Sequence, residues 1–154
     1  MKHLVYSLFL LSISSSVDAI TISEIAPVHF GSVSAQSGLT CTMSEFGVIS
    51  GACDTTDIDI TLGEVLVTNL PRNGNVEVMI TGSTNTALQY APIAELTGAK
   101  GGTVLLYDNQ PVNVTVKGNG ADFTITVFGT LTLQNDLSLS GAYTADYTLE
   151  VNQL

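Results

Sequence analysis

The sequence has 154 residues and a formal net charge of −10 at pH 7, and only 12% of its residues are charged. A chain this acidic repels phosphate backbones, so we expect no nucleic-acid partner. The length fits a single domain.

The start of the chain has the composition of a secretory leader. A basic residue precedes an apolar run over residues 4–11, and Val17 and Ala19 supply the short side chains typical of a cleavage point. The apolar run is well short of the ~20 residues that span a bilayer. We therefore expect residues 1–19 to be a cleaved signal peptide. Residues 20–154 are then one exported domain with no further transmembrane segment.

Alternation of apolar and polar residues, the period of a β-strand, begins at Ile20 and resumes at Val28. Pro27 interrupts it and removes a hydrogen-bond donor, which predicts an edge strand or two short strands with a kink. Residues 32–38 are small and polar and predict a loop. Residues 40–49 have an ambiguous pattern. The candidate core residues of that segment are Phe46, Val48 and Ile49.

Alternation over residues 58–62, 65–70 and 76–80 predicts strands in the middle of the chain. Residues 90–96 carry a proline among small and apolar residues, and they predict a short irregular or helical piece. Residues 103–107 predict a short apolar strand.

Three alternating runs follow, at residues 112–116, 122–134 and 143–152. Asn119-Gly120, between the first two, is a pair that favours a type I′ hairpin turn. Gly129 predicts a bulge or bend where the long second run passes from one sheet edge toward the other. The three runs predict a meander with one buried face and one solvated face.

The whole pattern amounts to about eight to ten short strands, with turns roughly every ten residues and no long amphipathic helix. This pattern is typical of an all-β fold built as a two-layer antiparallel sandwich.

Cys41 and Cys53 are the only cysteines in the sequence. An exported chain meets an oxidising compartment, so we expect them to form one intramolecular disulfide with a structural role. A redox pair is more typically spaced as Cys-x-x-Cys, and a zinc site needs two further ligands that are not evident.

No set of residues predicts catalysis, and we expect neither an enzyme nor a bound cofactor. His29 is the sole histidine after the leader, and its place between two apolar residues predicts an outward-facing, structural side chain. Asp57 and Asp59 have the spacing of paired glycosidase carboxylates, but a solvated strand face has the same pattern. With Asp54 they are candidate calcium ligands, although the segment lacks the glycine pivot of a calcium-binding loop.

Tyrosines offer a candidate platform for a sugar ring. They are Tyr90, Tyr107, Tyr143 and Tyr147. Two of them occupy the apolar side of the last run, where a tyrosine of the sandwich core with its hydroxyl at the rim is expected as well.

Three short elements carry a family resemblance: Phe30-Gly31, the run at residues 127–133, and Gly141-Ala-Tyr143 before the last run. They resemble a bacterial family of small secreted pilin-like domains, which is similar in turn to the spore coat protein U domains of archaic chaperone–usher pili. The resemblance implies an immunoglobulin-like sandwich from a Gram-negative bacterium. It also implies a fimbrial or surface structural role without catalytic residues.

The same resemblance implies location in the periplasm, at the cell surface or in a fimbrium. The partners it implies are a periplasmic chaperone, an usher and neighbouring pilus subunits. Assembly by donor-strand exchange requires a free alternating extension. Only residues 20–28 precede Phe30, and Pro27 interrupts them, so a donor strand here is very short. A tip or minor component is then one expectation, and an independent secreted binding module for carbohydrate or calcium is the alternative.

Overall fold

The computed structural model describes residues 19–34, 36–136 and 146–154. Tyr143 and the predicted leader, apart from Ala19, lie outside the described residues. Ten strands and no helix make up the secondary structure of the described ranges, which therefore hold no helix able to cross a membrane. The strands are β1 (Thr21–Ala26), β2 (Thr40–Met43), β3 (Ile49–Gly51), β4 (Gly63–Thr68), β5 (Asn75–Gly82), β6 (Leu88–Ala99), β7 (Gly102–Tyr107), β8 (Val112–Thr115), β9 (Phe123–Leu133) and β10 (Tyr147–Gln153).

The strands form two antiparallel sheets that pack face to face, which confirms the predicted all-β sandwich. The larger sheet has seven strands, and the smaller sheet has three in the order β10-β5-β8. In the larger sheet β9 is central, with β6 along one edge and β7 outside β6. The other edge of β9 pairs first with β4, which lies next to β1, and then with β2, which lies next to β3.

The change of neighbour along β9 occurs at Gly129. β4 pairs with β9 up to Val127, and β2 pairs with it from Gly129 onward. The register with β6 runs through Gly129 without a shift, so of the predicted bulge or bend the structure has no bulge. Glycine fits this position because φ is +134° and because an added Cβ would collide with the carbonyl oxygen of Ala91.

Residues 90–96 lie in β6, the longest strand, so the predicted irregular or helical piece is wrong. Alternate side chains from residue 88 to residue 96 are buried, which is the period of a strand. Pro92 is accommodated because β7 ends at Tyr107, opposite Ile93, so the β6–β7 ladder needs no N–H donor at Pro92.

The three runs from residue 112 onward contain strands, but they do not form a meander. β8 and β10 both pair with β5 in the smaller sheet, whereas β9 belongs to the larger sheet. The Asn119-Gly120 turn therefore connects two sheets. Of its two residues only Gly120 has a positive φ, so it is not a type I′ hairpin turn.

Residues 58–62 are not a strand, contrary to the prediction from their alternation. The carboxylates of Asp54 and Asp57 accept hydrogen bonds from the backbone N–H groups of Thr56 and Asp59. Such local bonds favour turns over a strand ladder. Ile58 is 94% exposed as a result.

The hairpin between β2 and β3 also corrects the predicted core. Phe46 and Val48 lie at its tip and are 81% and 64% exposed, whereas Ile49 is buried as predicted. Met43, on the other strand of the hairpin, is buried opposite Ile49. The turn between the strands therefore carries two apolar side chains away from the core.

The predicted disulfide joins Cys41 on β2 to Cys53, with Cα atoms 5.4 Å apart. The two cysteines are 12 positions apart in the sequence, and the bridge links the segment after β3 to the larger sheet. Restricting the unfolded chain in this way stabilises the fold by about 3 kcal/mol.

We predict that Gly129→Ala lowers the free energy of unfolding by about 2 kcal/mol or more, because it combines a positive φ with a backbone collision. Gly101→Ala is the matched control, since the space around Gly101 is open, and it should change stability by less than about 0.5 kcal/mol. Urea denaturation measures both. Equal effects of the two substitutions would contradict the close approach of β6 and β9.

Candidate functional site

The two long sides of the sandwich differ in how the sheets are joined. On the side of β7 and β8, backbone hydrogen bonds connect them. The Lys100 N–H group donates to the Thr115 carbonyl oxygen at 2.9 Å, and the Asn109 N–H group donates to the Ile80 carbonyl oxygen at 2.9 Å. This side is therefore closed by main-chain contacts.

The opposite side is bordered by β1 of the larger sheet and β10 of the smaller sheet. Within residues 19–34, 36–136 and 146–154, each of these strands pairs on one edge, β1 with β4 and β10 with β5. Across the gap, the hydroxyl oxygen of Tyr147 lies 3.5 Å from Oε1 of Glu24, a long hydrogen bond. We call the gap the open cleft. Its lining residues are Ile20, Ile22, Glu24, Tyr147, Leu149 and Val151.

The register of β1 determines which of its side chains face the cleft. Ile22 lies opposite Val67 and Glu24 lies opposite Val65, and both valines are buried between the sheets. Directly opposite residues of an antiparallel pair share a face, so Ile22 and Glu24 face inward. Ile22 is nevertheless 41% exposed, because nothing among the described residues covers this side of the sandwich.

The smaller sheet supplies the other wall of the cleft. Tyr147, Leu149 and Val151 alternate along β10, are half-buried, and pack against the main core cluster. Thr148 and Glu150 point to solvent between them. An apolar floor between two strand edges with free N–H and C=O groups is a surface on which an extended chain can add as a strand.

Two local features of β1 limit unwanted pairing at this edge. A register shift, a β-bulge, lies between Glu24 and Ala26, and Pro27 follows. Bulges and prolines are devices by which edge strands avoid nonspecific sheet growth. The part of the β1 edge that remains regular runs over residues 21–24.

The environment of Tyr147 differs from that of a free side chain. Burial, and then the neighbouring Glu24 carboxylate, raise the pKa of Tyr147 to about 12. The tyrosine therefore remains a neutral hydrogen-bond donor beside Glu24 at physiological pH.

Two of the three candidate calcium ligands, Asp54 and Asp57, already accept hydrogen bonds from protein groups. Asp57 accepts hydrogen bonds from the Ser32 N–H group at 2.7 Å and the Ser32 hydroxyl at 2.6 Å, and Asp54 accepts from the Thr56 hydroxyl at 2.7 Å. These bonds lower the pKa of both carboxyls. Across the described ranges, no three acidic, histidine or cysteine side chains come together as a metal site, so Asp54, Asp57 and Asp59 do not form one.

His29 has the exposed position that the alternation predicts. Its backbone pairs with Thr61, and its Nδ1 accepts a hydrogen bond from the Gly31 N–H group at 3.1 Å. The imidazole thus supports the turn before Ser32, where Asp57 binds. This arrangement is structural.

The three tyrosines that the structure describes, Tyr90, Tyr107 and Tyr147, do not form a shared platform. Tyr90 is buried, donates a hydrogen bond to the Phe128 carbonyl oxygen at 2.8 Å, and meets Phe30 edge to face. Burial raises the pKa of Tyr90. Tyr107 is exposed at the end of β7, on the far side from Tyr147.

A polar hollow of about 380 Å³ lies at the end of the sandwich where the β4–β5 and β8–β9 connections meet. Its lining residues are Asn69, Leu70, Pro71, Arg72, Asn119, Gly120 and Asp122. Amide, guanidinium and carboxylate groups around an apolar wall suit a small polar ligand.

Sequence reasoning missed the open cleft, although β1 carries a signal for it. Ile20, Ile22 and Glu24 occupy alternate positions, so the carboxylate stands where the period requires a third apolar residue. A charge on the inward face of an edge strand indicates that this face is reached by solvent or by a partner.

Comparison of the chain with models of known protein families found no match, and no curated protein matches its sequence.

We predict that stability falls above pH 10, because the pKa of Tyr147 is raised from 10.0 to about 12 on folding. The contribution of neutral Tyr147 is complete below the pKa of the unfolded chain and is lost as the pH rises through the folded value. Glu24→Gln should lower the pKa of Tyr147, because it removes the effect of the carboxylate, but the part of the pKa increase that burial causes should remain. An NMR titration of the tyrosine rings measures this, with Tyr147→Phe assigning the resonance. An unchanged pKa in Glu24→Gln would contradict the contact across the cleft.

Proposed function

We propose that this protein is an exported structural subunit of a surface assembly, a pilin-like component that is completed by a strand from a partner. The open cleft carries the proposal. Its two walls end in strand edges that no other described strand pairs with, and inward-facing Ile22 is partly exposed there. A neighbouring chain that inserts an alternating strand there would bury this apolar surface and pair both edges.

The direction of the strands fits such an insertion. β1 and β10 border the cleft and run in opposite directions. β1 begins, and β10 ends, at the end of the sandwich where β4 ends and β5 begins, since Thr21 lies opposite Thr68 and Gln153 lies opposite Val76. An inserted strand that is antiparallel to β10 therefore runs parallel to β1. It would convert the three-stranded sheet into a four-stranded one.

The state of β1 bears on which role the subunit takes. Residues 21–26 pair with β4 within the same chain, so they serve as part of the subunit's own sheet rather than as a free donor. We infer that the subunit receives a strand through the cleft, as a tip or minor component of a fimbrium would. Its partners would be neighbouring subunits, with a periplasmic chaperone that covers the cleft and an usher before assembly.

The disulfide supports the exported location. Cys41 is buried against the sheet, and its bridge to Cys53 requires an oxidising compartment to form and persist. The periplasm or cell surface of a Gram-negative bacterium, as the sequence resemblance implies, provides one.

The proposal predicts that a strand fused after Leu154 stabilises the protein. We would add a short turn and an alternating Val–Thr strand as long as the seven residues of β10. The fused strand should fill the cleft and raise the free energy of unfolding by several kcal/mol, since it buries Ile22 and its neighbours. Urea denaturation and protease resistance measure the gain.

The matched control is the same fusion with proline at two central positions, which removes backbone donors and should give no gain. If the alternating fusion leaves stability unchanged, while the unfused chain is a monomer that unfolds cooperatively, the subunit role is excluded.

A secreted carbohydrate-binding module is the second candidate, and the polar hollow is the observation that favours it. Arg72, Asn69, Asn119 and Asp122 present donors and acceptors of the kind that recognise sugar hydroxyls. A glycan array probed with the chain tests this candidate, with Asn119→Ala as the control variant. Binding that the substitution abolishes would support the carbohydrate-binding role, and the absence of binding to any glycan on the array would exclude it.

A further inference from the structure

Among the residues that line the open cleft, Glu24 alone has a charged side chain. Its inward direction follows from its register opposite buried Val65. In the open state the side chain is exposed, so water solvates the carboxylate at the mouth of the cleft.

A strand inserted between β1 and β10 would cover this carboxylate. Removing an ionised group from water is costly unless an opposite charge and hydrogen bonds replace the solvent. Tyr147 supplies one hydrogen bond to Glu24, at 3.5 Å, and no positive charge. The charge therefore lacks compensation from the walls of the cleft once the cleft is filled.

Basic residues of this domain lie in other parts of the fold. Arg72 lines the polar hollow, the Lys100 backbone bonds to β8 on the closed side, and Lys117 lies in the connection before β9. None of the three belongs to the walls of the open cleft. A compensating cation for the filled cleft must come with the incoming strand.

Resting on the proposed function, we propose that the partner strand carries a lysine or arginine on its inward face, placed to pair with Glu24 beneath the hydroxyl of Tyr147. The other inward positions of that strand are apolar and lie beside Ile22, Leu149 and Val151. The occupant is thus an extended segment with alternating apolar residues that ends its inward row in a cation toward the Tyr147 end of the cleft.

The ion pair between Glu24 and this cation sets the register of the inserted strand. An alternating strand keeps its apolar face inward when it slides by two residues, so apolar contacts alone leave several registers open. A single cation that must meet Glu24 selects one of them. The carboxylate also disfavours strands with an apolar or acidic residue at that position, because they leave it covered and unpaired.

The test uses two synthetic peptides of alternating Thr and Val that differ at one inward position, which is Lys in one and Met in the other. We expect the wild-type chain to bind the Lys peptide at least about tenfold more tightly than the Met peptide, by calorimetry at low salt. In Glu24→Gln the two peptides should bind with equal affinity, which isolates the pair as in a double-mutant cycle.

Two further variants separate the pair from general charge effects. Glu150→Gln removes a carboxylate from the solvent face of β10 and should leave the tenfold preference intact. Glu24→Lys should reverse the preference toward a peptide with Glu at the same position, provided that its circular dichroism matches the wild type.

Each outcome of these measurements decides between the two claims. If both peptides bind wild type equally well, the cleft accepts strands and the cation requirement is wrong. If neither binds any variant, the strand-receiving role itself fails, and the inference fails with it. A preference for Lys that persists in Glu24→Gln would assign it to the net charge of −10 and would also overturn the pairing.

Discussion

Backbone hydrogen-bonding groups at the edges of a sheet need partners, and the two sides of this sandwich meet that constraint differently. On one side, the turn after β6 and the residues after β7 bond through the main chain to the smaller sheet. On the other side, β1 and β10 face each other. Among the described residues, neither outer edge pairs with another strand, and one long hydrogen bond joins side chains of the two strands. The open cleft, the proposed partner and the role of Glu24 all follow from this asymmetry.

The asymmetry originates in how β9 organises the larger sheet. One edge of β9 pairs with β6 from Thr124 to Leu133, while its other edge is divided between β4 and β2. The division sends β1 to the edge beside β4 and places the disulfide-linked hairpin on the other half. Gly129 stands at the junction, where the absence of a side chain lets β6 approach.

The strands and the inward faces of the longest runs could be predicted from the sequence, because period two survives in 112–116 and 122–134 with little interruption. Which strands pair with each other could not be predicted. The runs beside Asn119-Gly120 have the local signal of a hairpin, yet they belong to different sheets, since pairing depends on contacts distant in the sequence. The strand predicted at residues 58–62 is absent for another reason: aspartate side chains accept hydrogen bonds from nearby backbone N–H groups and favour a turn.

The candidate site was hidden for a physical reason of the same kind. A cleft between two strand edges depends on which strands are neighbours, and no residue type marks it. Among the residues predicted as chemical groups, Asp54 and Asp57 are engaged in hydrogen bonds of surface loops and Tyr90 lies in the core, so their residue types did not indicate the cleft. Glu24, which interrupts the apolar period of β1, was the one residue whose position pointed to the cleft.

The state of the cleft in solution is the central claim, and NMR measures it most directly. Nuclear Overhauser contacts should connect β1 with β4 and β10 with β5, with no backbone contacts between β1 and β10. Amide protons on the free edges of both strands should exchange rapidly. Strong backbone contacts between β1 and β10, with slow exchange along both edges, would show a closed sandwich and contradict the account.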